Sequence, residues 1–535
     1  HDSADGHITF DVVSSEEDKL EYSSAVTQAG VLITATSNGI FAYEIDADSL
    51  TIITALGPLC SPHAPLYYGL DLYAYALLPT TVTDAEIAGV VKYFEREKGA
   101  TRNPTGTLHS YWMNRVDFVA PKFDALDLSG VTIFNGTWNG TTNMPVFPTT
   151  LDLSNGTDFY TAWWNGKVVE FPALDLSSGT NFSHAFGYNS AMTSWGACDV
   201  SKGTSFLNAW YLNSSLESFP VTTFTTDADD DVSFQSAWKG CTALESFPAL
   251  NLSRGTNFTE AWRDCTDASF TSFPAVTFSN TASDDINFRE AWQNCNKLTS
   301  FPSVNLSRGT NFYRSWAYCT SLTSFPALDL SDGTQFGEAW NNNTSLVTWN
   351  KCTFGVAASF QQAWRKTTVM TSFPSDVDLS MGTDFWACWY ESGIVNFPAL
   401  DLSSGTDFDY AFGANSGMVA FGACNMNLGR SFSTAWDNNP SMTTFPAGVF
   451  DDWAPASLSV NCFLNAWRGC EALTEQSIEN ILLSISASGI HATADGTASG
   501  TPIAGKEITI GTNNSNVNVD NLNPTIRAAC TALQS

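Results

Sequence analysis

The sequence predicts a repeat solenoid, in which short units of similar sequence stack into one continuous core. The first observation is a Phe-x-x-Ala-Trp pattern that recurs every 23 to 31 residues between Phe134 and Trp467. The second is a Leu-x-Leu segment whose apolar residues alternate with polar ones, which is typical of a short strand. Because units of this length cannot bury an apolar face alone, consecutive units must stack on one another.

Each unit is predicted to contain a short strand and one helical turn, and the chain holds about 14 of them. Phe, Ala and Trp lie three and four positions apart, as they would on one face of a helix. The residue four positions after the leading Phe is Trp in twelve units and Phe in two. The leading residues are Phe134, Phe159, Phe182, Phe206, Phe234, Phe258, Phe288, Phe312, Phe336, Phe360, Phe385, Phe408, Phe432 and Phe463.

Polar residues and glycines indicate how each unit starts and turns. Asn257 with Glu260, and Asn287 with Glu290, have the spacing of residues that cap a helical turn. A glycine follows the strand segment in many units, and we expect it to supply a positive φ angle. These glycines are Gly179, Gly203, Gly255, Gly309, Gly333 and Gly405.

Residues 1–115 lack the repeat and predict a β-rich N-terminal domain that ends in a helix. Alternating residues from Val31 to Ile45 flank Asn38-Gly39, a pair typical of tight hairpin turns. Further strand-like segments occur at 50–55 and 66–78, and a capping box at Thr83 starts a helix that stops at Gly99. The different pattern indicates a domain for attachment to other virion or surface proteins, or for assembly.

Residues 116–473 form the predicted solenoid, and residues 474–535 form a small α/β module that caps its end. Ile478, Ile481, Leu482 and Ile485 share one face of a predicted helix. A strand at 506–511 and a final helix from residue 524 complete the module. A cap of this kind covers core residues that stacking alone would leave exposed.

Charge and cysteine content narrow the functional classes. The formal net charge of −31 opposes binding to nucleic acid and to anionic membranes. The sequence lacks an apolar segment of the ~18 residues needed to cross a bilayer, so we expect no membrane insertion. Cysteines that follow the repeat Trp by three residues form either a stack of buried thiols or, alternatively, disulfides between adjacent turns. They are Cys241, Cys265, Cys295, Cys319 and Cys470.

A larger internal duplication lies over the short repeat. Residues 134–220 align without a gap with residues 360–446, and 45 of the 87 positions are identical. The two exceptions to the Trp pattern, Phe186 and Phe412, also correspond at this offset of 226 residues. The sequence therefore indicates duplication of a block nine turns long.

The duplicated block contains the candidate binding residues. Tyr160 and Trp164 lie four residues apart and correspond to Trp386 and Tyr390, with the two residue types exchanged. On a helical turn each pair would share a face and point partly outward. Exposed aromatic side chains can anchor protein partners or stack on sugar rings, whereas the alternative interpretation is packing against neighbouring turns or subunits.

Three units are lengthened by acidic segments that suggest a Ca²⁺ site. Clustered carboxylates can bind Ca²⁺, although they lack the spacing of an EF-hand loop, and a solvated loop is the alternative. The candidate ligands are Asp227, Asp229, Asp230, Asp231, Asp284 and Asp285, and Asp451 with Asp452 lies in the third lengthened unit. No other cofactor is indicated.

The segment Ala237 to Pro248, with the pattern Ala-Trp-x-x-Cys-x-x-Leu-x-x-Phe-Pro, resembles the BspA-like leucine-rich repeat. The segment from Ser315 to Pro326 resembles it too, and the sequence from Leu473 onward is similar to the closing segment of such arrays in bacteriophage proteins. This resemblance implies a leucine-rich-repeat-like fold in a bacterial surface adhesin or a phage tail protein. Trp in place of the usual Phe, together with Phe-Pro in the strand, favours the phage branch.

The predicted function is therefore non-enzymatic adhesion at an extracellular or virion surface, through a host-cell glycan or protein and in an oligomeric assembly. A capsid-decorating or fibre-scaffold protein and a bacterial surface adhesin are alternatives. A glycan depolymerase is the one enzymatic alternative, because carboxylates on successive turns could act as acid and base. That column contains Asp152, Asp175, Asp199, Asp329, Asp378 and Asp401, and it is interrupted by Asn251, Asn305 and Asn425.

Overall fold

The computed structural model describes residues 30–36, 39–45, 72–79, 106–108, 128–142, 144–149, 151–227, 231–281, 285–355, 358–457, 459 and 462–488. The chain divides into two compact units, His1–Arg254 and Gly255–Ser535. Within each unit the repeats stack as parallel turns, so the predicted repeat solenoid is confirmed. The domain boundaries expected near residues 115 and 473 stay predictions.

A three-stranded antiparallel sheet contains the first described residues of the first unit. Its central strand β1 (Gly30–Thr36) lies between β2 (Gly39–Ile45) and β3 (Leu72–Pro79). Thr36 pairs with Gly39, which confirms the predicted hairpin. The strand expected at 50–55 and the helix expected up to Gly99 lie outside the described residues.

The solenoid strands are only two or three residues long. In the first unit they are β4 (Gly106–Thr107), β5 (Val131–Ile133), β6 (Glu170–Phe171), β7 (Ser194–Trp195) and β8 (Val232–Ser233). In the second unit they are β9 (Gly255–Asn257), β10 (Ile286–Asn287), β11 (Gly309–Asn311), β12 (Ser324–Phe325), β13 (Thr348–Trp349), β14 (Ala358–Ser359) and β15 (Gly382–Asp384). Parallel pairs join β4 to β5, β6 to β7, β9 to β10, β10 to β11, β12 to β13 and β14 to β15.

The predicted helical turn is wrong: the segment from each repeat Phe to the sixth residue after it is a series of tight turns, here called the turn ribbon. In residues 159–165, the N–H of Ala162 donates to the Phe159 carbonyl and that of Trp164 to the Thr161 carbonyl. All 24 non-glycine residues with positive φ in the described chain lie two or six positions after a repeat Phe. A right-handed helix excludes such angles, so Phe, Ala and Trp reach the core from successive turns instead.

The remaining N–H groups of the turn ribbon bind the next turn of the solenoid. Phe159, Thr161, Trp163 and Asn165 donate to carbonyl groups of the following turn, those of Asn181, Ser183, Ala185 and Gly187, over 2.8 to 3.0 Å. The same four bonds recur at every junction between consecutive ribbons within each unit. Alternate backbone donors therefore close a turn or join two turns, so few backbone N–H groups of the ribbon are left unpaired.

The predicted helix caps have a different role. The Oδ1 atom of Asn257 accepts the N–H of Thr259 at 3.0 Å, and that of Asn287 accepts the N–H of Arg289 at 3.0 Å. These bonds close a short loop just before the ribbon rather than a helix. Glu290 instead forms ion pairs with Arg289 and Arg263.

The glycines expected to have positive φ angles do not have them. Glycine is required at these positions because a Cβ atom would collide with the ring of a repeat Phe. A Cβ atom at Gly179 would lie 2.3 Å from Cζ of Phe182, and one at Gly309 would lie 2.2 Å from Cζ of Phe312. Positive φ occurs in six other glycines of the described chain, including Gly240 and Gly469 on turn ribbons. The prediction identified the positions but not the steric reason.

The core consists of three aromatic columns. Phe134 stacks on Phe159 with ring centroids 5.3 Å apart and an angle of 3°, and Trp138 stacks on Trp163 at 5.3 Å and 7°. The Phe of each Phe-Pro pair meets the Trp column edge-on, as Phe147 does with Trp163 at 88°. These offset and edge-to-face contacts are the favourable aromatic geometries, so the repeat aromatics build the core.

The residue three positions after the repeat Trp forms a buried polar column. Sγ of Cys241 donates to the Trp210 carbonyl at 3.3 Å, and Sγ of Cys319 donates to the Trp292 carbonyl at 3.2 Å. The ten described cysteines are buried and form no disulfide, which confirms the stack of thiols among them. Burial raises the pKa of Cys241 and of Cys319 to about 12, so both groups stay protonated and can donate.

The helix α1 (Glu475–Ala487) follows the last described turn of the second unit. Thr474 caps it by accepting the N–H of Ser477, and its apolar face buries Ile478, Ile481, Leu482 and Ile485 as predicted. The Oγ atom of Ser484 accepts the N–H of Phe450 at 2.6 Å, which ties the helix to the preceding turn. The later strand and helix of the predicted cap lie outside the described residues.

Candidate functional site

The outward side of the turn ribbon carries partly exposed aromatic side chains in the first unit. The His184 ring lies 5.7 Å from that of Tyr160 and 4.9 Å from that of Trp164, at angles of 74° and 71°. Tyr160 remains 39% exposed. Two rings of one turn are therefore arranged edge-to-face around a third ring supplied by the next turn.

Two more rings enlarge this surface. Tyr188 lies 4.7 Å from Trp164, and Tyr211 lies 5.3 Å from Tyr188 and parallel to Trp164 at 6.4 Å. The Lys239 ammonium lies 5.9 Å from the centre of the Tyr211 ring. We call Tyr160, Trp164, His184, Tyr188 and Tyr211 the first aromatic cluster.

A smaller arrangement of the same kind lies in the second unit. The Tyr410 ring lies 6.3 Å from Trp386 and 6.0 Å from Tyr390, at angles of 69° and 76°. Tyr410 is 41% exposed, and the Arg365 guanidinium lies 5.6 Å from the Tyr390 ring centre. We call Trp386, Tyr390 and Tyr410 the second aromatic cluster.

The structure therefore joins each predicted aromatic pair through a ring that the sequence analysis missed. His184 and Tyr410 correspond at the offset of 226 residues, and each is aromatic. This correspondence could have identified both rings from the sequence. The predicted helical turn, however, allowed contacts only between residues of the same turn. Tyr188 and Tyr211 correspond to Ala414 and Asp437, so no internal repetition indicated them.

One ring of each cluster has a shifted pKa that favours its neutral form. Burial lowers the pKa of His184, so its imidazole is neutral. Burial, with the nearby Glu391 and Asp437 carboxylates, raises the pKa of Tyr390. His184 and Tyr390 can consequently make stacking and CH contacts without the cost of desolvating a ring charge.

Below the exposed rings the two copies differ in charge. In the first copy the side-chain amide of Asn181 donates to Oδ1 of Asp158 at 3.0 Å. In the second copy Asp407 replaces Asn181 and is bridged to Asp384 through the backbone. Burial, together with the Asp409 and Asp384 carboxylates, raises the pKa of Asp407 to about 6, and Asp409 itself has a raised pKa because it is buried.

The proposed Ca²⁺ ligands remain a prediction. Asp227, Asp231 and Asp285 belong to the described residues, whereas Asp229, Asp230 and Asp284 lie outside them. Among the described residues, no three His, Cys, Asp or Glu side chains are grouped closely enough to bind a metal ion.

The Asp and Asn column considered for hydrolysis closes local loops. Oδ1 of Asp175 accepts the N–H of Ser177 at 3.0 Å, and Oδ1 of Asn251 accepts the N–H of Ser253 at 3.1 Å. Hydrogen bonds from Ser177 lower the pKa of Asp175, whereas a general acid requires a raised pKa. An amide oxygen accepts equally well, so Asn can replace Asp in this column.

The fold and its surface define a parallel solenoid that displays two related aromatic clusters. Comparison of the chain with protein-family models, with curated proteins and with solved structures gives no match. In the described part of the chain no helix combines the length and the apolar character that a membrane span requires.

Proposed function

We propose that this protein is a non-enzymatic adhesion protein of a virion or an extracellular surface, of the phage tail or fibre type. It binds a host-cell glycan or protein through the two aromatic clusters. The observation that carries this proposal is the edge-to-face arrangement of three partly exposed rings, which occurs once in each copy of the duplicated block.

The scaffold supports binding because the backbone under each cluster is held rigidly. Thr161 and Trp163, on either side of Ala162 in the first ribbon, donate to carbonyls of the next turn at 3.0 and 2.8 Å. In the second copy, Ala387 and Trp389 do so at 2.8 Å each. A preorganised aromatic surface loses little conformational entropy on binding, which favours recognition.

The resemblance to BspA-like leucine-rich repeats supports a surface location, since that family includes adhesins and phage structural proteins. In this proposal residues 1–115 attach the chain to other virion or surface proteins, and the assembled form is a homo-oligomer. Several copies side by side would raise the avidity of weak individual contacts.

The experiment compares host-cell binding of the wild-type chain with a Tyr160→Ala/Trp386→Ala variant. We expect cell binding to fall at least about tenfold, the loss of roughly 1.4 kcal/mol, while the thermal unfolding midpoint stays within about 2 °C. Equal cell binding by both proteins would refute the role of the clusters. A Tyr318→Ala variant is the control, because Tyr318 is also 40% exposed on a turn ribbon but belongs to neither cluster.

A further inference from the structure

The two clusters preserve geometry while their residue types change. Tyr160, His184 and Trp164 correspond to Trp386, Tyr410 and Tyr390, so all three identities differ between the copies. The contacts of the central ring nevertheless stay within 4.9 to 6.3 Å and 69° to 76°. What the copies share is three ring faces in one arrangement, rather than any particular polar group.

The surroundings of the clusters have diverged, which separates this shared feature from simple duplication. Ser183 beside the first cluster corresponds to Asp409 beside the second, and Tyr211 corresponds to Asp437. In the first copy, the central ring His184 is contacted by Tyr160 and Trp164, which lie on one turn. In the second copy, the counterparts Trp386 and Tyr390 contact Tyr410 in the same way. The common ligand feature must therefore be one that aromatic faces alone recognise.

We infer that the two clusters are two sites for the same neutral hexopyranose unit, and that the ligand of the chain is a polysaccharide that repeats this unit. This inference rests on the proposed function and names its ligand class. A sugar ring presents an apolar CH face to an aromatic ring, and this contact tolerates exchange of Tyr, Trp and His.

The charge of the chain favours a neutral polymer. The formal net charge of −31 repels anionic polysaccharides. Around the second cluster the Arg468 guanidinium is paired with Asp437 at 2.6 Å, so that cation is already neutralised. Around the first cluster Lys167 binds the Ser190 hydroxyl at 2.9 Å.

Two equivalent sites on one chain raise the avidity for a ligand that presents the same epitope many times. After one site has bound, the second binds at the effective concentration set by the protein and the polymer, and avidity can exceed the single-site affinity by about 10²–10⁴-fold. A ligand with one epitope receives no such gain. Duplication of the site is thus specifically suited to a repeating polymer.

The test uses affinity electrophoresis of the full chain through native gels that contain dextran, yeast mannan or laminarin, with alginate as the anionic comparison. We expect retardation in at least one neutral gel. Trp164→Ala and Trp386→Ala should each weaken the interaction with that polymer at least about tenfold. Tyr318→Ala should migrate like the wild type. Trp164→Phe, which keeps a ring, should retain most of the retardation.

Titration calorimetry with a short oligosaccharide of the retarding polymer then counts the sites. We expect two oligosaccharides per wild-type chain and one per chain in each single variant, with unchanged affinity at the remaining site. One oligosaccharide per wild-type chain, or full polymer binding by either Ala variant, would overturn the two-site inference. Retardation by alginate alone would overturn the neutral ligand.

The outcome also distinguishes this inference from the proposed function. If the wild-type chain binds host cells through the clusters but no neutral gel retards it, the inference is wrong while adhesion stands. If Tyr160→Ala/Trp386→Ala leaves cell binding unaltered, both fail.

Discussion

A Cβ atom at Gly187 would lie 2.4 Å from Cζ3 of Trp164, so the indole ring occupies the space that any other side chain at position 187 would need. Because Gly187 has no side chain, the Trp164 ring can pack directly on the backbone of the next turn. At the corresponding position of the second copy, a Cβ atom at Gly413 would lie 3.3 Å from Cδ2 of Tyr390. The smaller Tyr390 ring leans less closely over its glycine.

Replacing Gly187 with alanine should displace Trp164. We expect Gly187→Ala to lower the free energy of unfolding by about 1–3 kcal/mol, because the added methyl group also meets the Asn208 carbonyl at 2.9 Å. Gly413→Ala should cost less. Urea denaturation measures both changes, and Gly417→Ala is the control, since nothing lies within 4 Å of its Cβ position.

A double-substitution cycle tests the contact itself. The loss in Gly187→Ala/Trp164→Ala should be smaller than the sum of the two single losses, because removing the indole relieves the clash. Additive losses would show that Trp164 does not rest on Gly187.

Relief of backbone strain should stabilise the turn ribbon. Ala414 has a φ of 54°, a conformation that costs a non-glycine residue about 1–2 kcal/mol. Ala414→Gly removes that strain but adds about 0.5–1 kcal/mol of chain entropy in the unfolded state, so we expect a net gain of up to about 1 kcal/mol. Chemical denaturation measures it.

The matched control is Ala327→Gly, at an exposed position without positive φ. There the entropy cost acts alone, and we expect a loss of about 0.5 kcal/mol or more. The same sign of change in both variants would contradict the assignment of strain to position 414.

The buried polar column contains one amide without partners. Asn343 is fully buried, and neither its Nδ2 nor its Oδ1 atom has a hydrogen-bond partner. Asn343→Cys should raise the free energy of unfolding by about 1–2 kcal/mol, because a thiol satisfies this column at Cys319 and removes two unpaired polar atoms. Thermal and urea unfolding measure the gain.

Asn415→Cys should have the opposite effect. The Asn415 amide donates to the Phe412 carbonyl at 3.0 Å and its oxygen accepts the Ser392 hydroxyl at 2.9 Å. We expect a loss of about 1–3 kcal/mol, since the buried Ser392 hydroxyl would lose its acceptor and the Phe412 carbonyl would keep only the hydrogen bond from the Asn439 amide at 2.9 Å. Stabilisation by both substitutions would mean that the hydrogen bonds of the column are irrelevant.

Asp407 should make the stability of the second unit depend on pH. Its pKa is raised by burial to about 6, above the value of about 3.9 in an unfolded chain. The raised pKa therefore adds to the free energy of unfolding below pH ~4, where the carboxyl is protonated in both states. This stabilising contribution is lost as the pH rises through about 6 and the carboxyl ionises in the folded state. The Asp409 N–H donates to Asp407 at 2.9 Å, whereas the Asp384 and Asp409 carboxylates repel its charge.

Asp407→Asn should accordingly be more stable than the wild type at pH 7, by roughly 1 kcal/mol after solvent screening, and the difference should disappear near pH 4. Asp378→Asn should show the opposite pH dependence, because hydrogen bonds from Ser380 lower the pKa of Asp378. Denaturation curves between pH 4 and 8 separate the two. A pH-independent difference for Asp407→Asn would rule out titration of this group.

The core could be predicted from sequence, because stacking requires the same apolar residue at the same place in every unit. Phe159, Trp163 and Leu176 follow that rule, and all are buried. The ribbon could not, since a helix and a series of tight turns both direct residues four apart to one side. Positions such as Thr161 and Asn165 carry the distinguishing angle, yet their residue types vary from unit to unit.

The clusters were only half predictable for a related reason. Tyr160 and Trp164 are close in sequence, but His184 contacts them because it is one turn later. Such neighbours follow from the length of a turn, which varies along this chain. An explicit alignment of outward positions, turn against turn, places His184 opposite Thr161, which lies between Tyr160 and Trp164 in the sequence.

The backbone hydrogen bonds between turn ribbons all run in one sense, from the N–H groups of one turn to the carbonyl groups of the next. Each ribbon, together with the residue just before it, consequently has two unlike backbone edges, one with four donors and one with four acceptors. A block of whole turns has acceptors at one end and donors at the other, as every single turn does. It can therefore be inserted or deleted without leaving unpaired backbone groups at the junctions. A block that stops partway through a turn cannot. This directionality gives a physical basis for growth of the chain by duplication in whole turns.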